Sequence, residues 1–255
     1  MSDTVGQIRA IGADLAAGFG LLTRLPVGWL VPGDVPYNPG RAVWTYPLAG
    51  LLVGAVEAAM LTAARHLGLP PLVGAGWTLV VAMLLTGGLH EDGLADTADG
   101  FGGGRTRERT LEIMRDSRIG SYGALALMLS LVIRMSALAV IPADRAFAAL
   151  LVIGALSRGS MLFGLALLKP ARTDGLSRSL GRISPIALVL GGLIALASSL
   201  MLTPFHALTA ITASATVAVI VSASARRRIG GHTGDVLGTM SVAVECVLLT
   251  LAAIG

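Results

Sequence analysis

Seven stretches of this chain, roughly 47–66, 72–88, 121–141, 145–168, 184–203, 205–225 and 235–254, are long, continuous and almost wholly apolar. A helix needs about 20 such residues to cross a bilayer, and inside hydrocarbon every backbone N–H and C=O must be paired within the chain. Helices or a closed barrel meet that demand, and a barrel would show short alternating segments instead of long runs. The chain therefore reads as all-α, a polytopic integral membrane bundle of about seven transmembrane helices. Composition agrees, with 54% hydrophobic and 13% charged residues and a mean hydropathy of +0.78, well beyond the usual soluble domain. The links between runs are too short for a second domain, so residues 1–255 read as a single transmembrane domain.

Ile8–Leu22 is shorter and interrupted by Asp14, which favours an interfacial helix over an eighth span. The opening "MSDTVGQIRAIGADL" lacks the basic start and apolar core of a removable signal peptide. Cys246 sits in an apolar run without a second cysteine to pair with and reads as a small core residue. Alternating the spans places 14 of the 19 Lys and Arg on one face, with the loops 23–46, 89–120, 169–183 and 226–234. Cytoplasmic loops carry such an excess, so these loops are expected at the cytoplasmic face of the inner membrane. Nothing in the pattern points to nucleic acid. Assembly as a homo-oligomer stays open.

The loop 89–120 begins with "GGLHEDGLADTADGFGGG", which carries Glu91, Asp92, Asp96 and Asp99 at the end of the second apolar run. If that helix continues, Asp92, Asp96 and Asp99 fall within about 60° on one face. Like charges so placed raise one another's pKa, and a cation relieves them. A hard divalent ion with oxygen ligands suits the set, and Mg²⁺ takes one or two carboxylates plus phosphate oxygens. Gly93 and Gly100 lower helix propensity, which makes sense if a backbone or ligand must come close. On the same helix Glu91 is expected to face solvent. His90 points to the opposite side and reads as a base, a second-layer donor or an interfacial histidine.

A second acidic pair, Glu112 and Asp116, follows at i and i+4 among Arg105, Arg109, Arg115 and Arg118. Carboxylates that hold metal, interleaved with guanidinium forks that grip phosphate, suit a polyphosphate ester. A solvated helix laced with Glu/Arg pairs is the competing reading, above all for Glu108. Downstream, "KPARTDGLSRS" offers Arg172 and Asp174, while "RRRIGGHTGDVLG" offers Arg228, His232 and Asp235, the last also a candidate helix cap. Glu57, Arg134, Arg158 and Glu245 lie inside apolar runs, where charges usually face the bundle interior and pair.

The acidic stretch, followed by "LEIMRDSRIGSYGALAL", closely resembles the cobalamin synthase family. "LLTRLPV", "YPLAGLLVG", "KPARTDGL" and "RRRIGGHTGDVLG" stand in the same order, so the resemblance covers nearly the whole chain. It implies a membrane enzyme in which a hydroxyl of α-ribazole, or of its 5′-phosphate, displaces GMP from adenosylcobinamide-GDP with Mg²⁺ as cofactor. The acidic layout also resembles a variant of the CDP-alcohol phosphotransferase motif, with Asp96, Asp99 and Gly100 as its first part and Glu112 with Asp116 as its second. On this reading Asp92, Asp96, Asp99 and Glu112 are the metal ligands, Asp116 is the base, with His90 beside it as a second catalytic candidate, and Arg105, Arg109 and Arg118 clamp the phosphates. Arg172, Asp174, Arg228, His232 and Asp235 are expected to complete the substrate pocket. The alternatives are a CDP-alcohol phosphotransferase with a lipid acceptor and a cation transporter using intramembrane carboxylates.

Overall fold

The computed structural model describes residues 2–31, 38–172 and 180–254, which form helices and their connections with no strand among them. The helices are α1 (Ser2–Leu22), α2 (Pro39–Ala42), α3 (Tyr46–His66), α4 (Pro71–Thr86), α5 (Leu89–Gly103), α6 (Arg107–Ile113), α7 (Ser121–Val140), α8 (Ala143–Leu167), α9 (Pro185–Ser198), α10 (Pro204–Ile229) and α11 (Gly234–Ile254). Five stretches are long and apolar enough to span: Pro39–His66, which contains α3, and then α7, α8, α10 and α11. The chain is thus a multi-pass membrane protein, with two departures from the seven expected spans. The run at 184–203 yields a shorter apolar helix, and α4 breaks from α5 at an angle of 92°.

That break has a local cause. Gly87 and Gly88 both adopt left-handed backbone, with φ of 70° and 68°, a region that costs a residue with a Cβ about 1–2 kcal/mol. The second span therefore stops at Thr86, and α5, with its four acids, turns across the end of the bundle instead of continuing it. The N–H of Arg24 donates to the carbonyl of Leu85 at 2.7 Å and ties the segment after α1 to this corner. α1 itself is pinned by buried Asp14, which accepts from Arg41 Nε at 2.8 Å and from Trp44 Nε1 at 3.0 Å.

The bundle is organised on α3 and α8. Gly50 and Gly54 of α3 lie directly on the backbone of Leu150 and Gly154 of α8, leaving no space for a side chain. Small residues one turn apart are how spanning helices approach closely where lipid is as apolar as leucine. α11 packs against α5, α7, α8 and α10, while α7 turns Leu125, Met128, Leu129 and Val132 outward, where lipid would meet them.

Charge inside this bundle is paired. Glu245 of α11 accepts from Arg158 of α8 at 2.9 Å and from Arg134 of α7 at 3.2 Å. The same Arg134 nitrogen donates to Glu91 of α5 at 2.8 Å, so Glu91 faces inward and not, as expected, toward solvent. A chain of four charges, formally neutral, thus joins α5, α7, α8 and α11, with Glu57 of α3 buried beside it. Removing one partner of such a buried pair leaves an uncompensated charge and costs about 3–5 kcal/mol. Glu245→Leu is accordingly expected to lower the unfolding midpoint of the detergent-solubilised protein sharply. Adding Arg158→Leu should recover part of that loss, because it removes one stranded charge; a further additive loss would show that the two residues are not coupled.

Candidate active site

The start of α6 is tied to the segments that follow α8 and α10. Arg107 donates to the carbonyls of Ile229 at 2.9 Å and Ala171 at 2.7 Å, and His232 exchanges backbone hydrogen bonds with Lys169 and Ala171. Most of the arginines of the chain collect at this end. α5 seats on the start of α11 through Gly93, which lies against the backbone of Asp235, and Thr239 Oγ1 donates to the Gly93 carbonyl at 3.0 Å. The close approach anticipated at Gly93 is therefore made by α11.

This seating places Asp92 and Asp96 of α5 beside Asp235 of α11. Burial, then the Asp92 and Asp235 carboxylates, push the Asp96 carboxyl up to about 7. Asp235 is free to face the others because Thr233 caps α11: its hydroxyl accepts from the Val236 N–H at 3.3 Å and donates to Asp235 Oδ2 at 3.1 Å. Arg172 Nη2 stands 3.6 Å from Asp235, while Arg172 Nε is buried with no hydrogen-bond partner among the described residues. One cationic side chain against three crowded acids leaves room for a further cation.

Two cavities meet at Leu89 and Asp92. An inner one of about 170 Å³ runs between α1, α3, α8 and α11. An outer one of about 370 Å³ lies over the Gly87–Gly88 corner and includes Asp96 and Arg118. A larger cavity of about 470 Å³ opens at the far end of the bundle, beside Val152, Phe205 and Leu251, away from the acidic cluster. Among the described residues no three His, Cys, Asp or Glu side chains close around a point as in a structural metal cage. An open pair of carboxylates, Asp92 with Asp96, nevertheless fits Mg²⁺, which keeps several waters and binds through one or two carboxylates and substrate phosphates.

Other candidates are placed differently. Both oxygens of Asp99 are engaged at the start of α7, by the N–H groups of Gly120 at 2.7 Å and Gly123 at 2.8 Å. Glu112 pairs with Arg109 at 2.7 Å on the exposed face of α6. Asp116 pairs with Arg118 at 2.6 Å, and those hydrogen bonds hold its carboxyl down at about 2, far from the neutral range that suits a general base. Arg105 is exposed in the turn after α5, and Arg228 donates to the Gly104 carbonyl at 3.4 Å. Burial lowers His232 to about 4, so it is neutral at pH 7 and offers phosphate no charge. His90 is buried on the opposite side of α5, against α11, and lines neither cavity. Asp174 lies outside the described residues.

One residue was missing from the sequence-based site. Arg24 lines the outer cavity with Asp92 and Asp96, its guanidinium lying over Gly87. Its only signal in the sequence was the "LLTRLPV" segment, where nothing connects residue 24 to residue 92 without the fold. The contrast between two aspartates is testable. Asp99→Ala strips the start of α7 of its acceptor and is expected to destabilise by about 0.5–2 kcal/mol. Asp96→Asn removes a crowded like charge and should leave the unfolding midpoint unchanged or raised. Thermal unfolding in detergent distinguishes them, and equal losses would contradict these placements.

The chain can now be set beside known proteins. A family model described as cobalamin-5-phosphate synthase matches residues 14–253. The adenosylcobinamide-GDP ribazoletransferase of Bradyrhizobium diazoefficiens is 45% identical over 251 residues, spanning 96% of this chain and 95% of that one. Those of Azorhizobium caulinodans and Rhizobium etli are 42% and 41% identical, over 93% and 96% of this chain and 94% and 99% of their own. No solved structure matches. Agreement along nearly the whole length, through α5 and the start of α11, shows that the chain belongs to the cobalamin-5-phosphate synthase family of transferases.

Proposed function

We propose that this enzyme joins adenosylcobinamide-GDP to α-ribazole, or to its 5′-phosphate, with Mg²⁺ and with release of GMP, at the cytoplasmic face of the inner membrane. The observation that carries the reading is the crowding of Asp92, Asp96 and Asp235 around a single arginine, Arg172, at the arginine-rich end of the bundle. Three carboxylates drawn together from two helices, with so little positive charge among them, are stabilised by a cation and the phosphates it brings. The relatives named above carry the substrates in their names, and the matched lengths include these residues' segments.

In the reaction the ribazole hydroxyl oxygen forms a bond to the phosphorus that bears the cobinamide. The bond from that phosphorus to the oxygen bridging to GMP breaks, and the hydroxyl proton must be taken up. Catalysis of such a transfer is mostly positioning and neutralisation of charge. Asp92 and Asp96 would hold Mg²⁺, which supplies neutralisation of the diphosphate oxygens when bound. Arg24 and Arg118, which line the outer cavity, would hold the remaining phosphate charge, Arg118 by exchanging its partner Asp116 for phosphate. Asp235, lining the inner cavity next to Thr233, is placed to accept the hydroxyl proton. It takes over the role expected of Asp116, which its pairing with Arg118 renders a weak base.

Membranes containing the enzyme should release GMP when given adenosylcobinamide-GDP, α-ribazole and Mg²⁺. Chelation should stop release, and added Mg²⁺ should restore it. Asp92→Asn and Asp96→Asn are each expected to lose about 100-fold or more in turnover, with unchanged protein content in the membrane. Asp116→Asn should retain most activity. Full activity in Asp92→Asn, or GMP release indifferent to chelation, would refute the proposal.

A further inference from the structure

The two cavities beside Asp92 differ in chemistry, and the difference sorts the substrates. The inner one is walled by apolar groups, Leu21, Tyr46, Met161 and Leu237 among them, with Arg172, Thr233 and Asp235 as its polar groups. At about 170 Å³ it falls below the roughly 300–1,000 Å³ that encloses a whole drug-sized ligand, and so suits a small ligand. The outer one is larger, more open and built from charge: Arg24 and Arg118 face Asp92 and Asp96 across the glycine corner. Leu89 and Asp92 border both.

Resting on the function proposed above, we infer that the acceptor riboside enters the inner cavity with its aromatic base among the apolar walls, and that the diphosphate end of the donor occupies the outer cavity. A riboside is an apolar ring joined to a ring of hydroxyls, which is the division of surface the inner cavity presents. A metal-bound diphosphate needs carboxylates and guanidinium groups with room around them, and the outer cavity is the larger of the two and sets two guanidinium groups, Arg24 and Arg118, beside Asp92 and Asp96, where the inner one has Arg172 alone. The donor's corrin is far too large for either space, so its nucleotide end alone is inserted and the rest stays outside the bundle. Displacement at phosphorus places attacking and leaving oxygens roughly in line on opposite sides. Cavities that meet at Asp92 bring the two substrates together there, with the hydroxyl arriving past Asp235 and GMP departing past Arg24. The hydroxyl proton passes to the Asp235 carboxylate as the new phosphorus–oxygen bond forms. Arg24 is thereby assigned as a donor-binding residue and Leu21 as part of the acceptor pocket.

The test is equilibrium dialysis of each substrate alone against the detergent-solubilised full-length protein, with Mg²⁺ present. Leu21→Trp fills the inner cavity and should weaken α-ribazole binding about tenfold or more, leaving adenosylcobinamide-GDP within about twofold. Arg24→Ala should do the reverse, about tenfold or more on the donor alone. Leu21→Phe, a smaller change, keeps the acceptor arm readable if tryptophan disturbs α1. Wild-type protein that bound both substrates, with the Leu21 effect on the donor or on neither, would overturn the assignment alone. Wild-type protein that bound neither would overturn the function reading and this assignment together.

Discussion

A charge in hydrocarbon must be paired, and the architecture follows from where this chain keeps its charges. Glu245 is gripped by Arg134 and Arg158, and Arg134 reaches on to Glu91, so one neutral chain of charges runs through the bundle core. Glu91 is the only acid of α5 drawn into it. The neighbouring Asp92, about 100° further round the helix, borders both cavities, where Glu91 reaches only the outer one. Two adjacent carboxylates are thus placed differently: one ties α5 to the membrane-embedded helices, and the other stands where the two cavities meet.

The anchoring has to be strong because the acids it positions repel one another. Burial, together with the Asp92 and Asp235 carboxylates, pushes the Asp96 carboxyl from its ordinary 3.8 up to about 7. Such crowding would push α5 away from α11 unless something held them. The Glu91–Arg134–Glu245 link, the contact of Gly93 with the Asp235 backbone and the Thr239 hydrogen bond all hold the same two helices together. Asp99 adds a fourth tie by accepting from the first amides of α7. Repulsion at the site is thus opposed by structure next to it, a form of preorganisation that a charged transition state can use.

Nearness in sequence does not bring the second acidic pair onto the trio. Glu112 and Asp116 lie close to the trio along the chain and have the right spacing for a shared face, yet each is satisfied locally by an arginine within three residues. Asp235 and Arg172, far along the chain, are the groups that meet Asp92 and Asp96. The unexpected turn was the left-handed pair Gly87–Gly88, which swings α5 by 92° and turns it from the end of a span into the floor of a site.

The amino-acid sequence by itself determined the helical membrane class, the uneven placement of its basic residues and the acidic segment at one end. Each of these follows from local chemistry: apolar run length, charge count and helical period are properties of neighbouring residues. The family resemblance was legible for the same reason, since it rests on contiguous motifs. Only the tertiary structure decided which acids converge, that Asp99 accepts from the first amides of α7 and Glu91 pairs with Arg134, that Thr233 and not Asp235 caps α11, and that Arg24 borders the outer cavity. Those outcomes depend on which helices pack together, and Coulomb forces, hydrogen bonds and steric fit act through space over a few ångströms, whatever the separation along the chain.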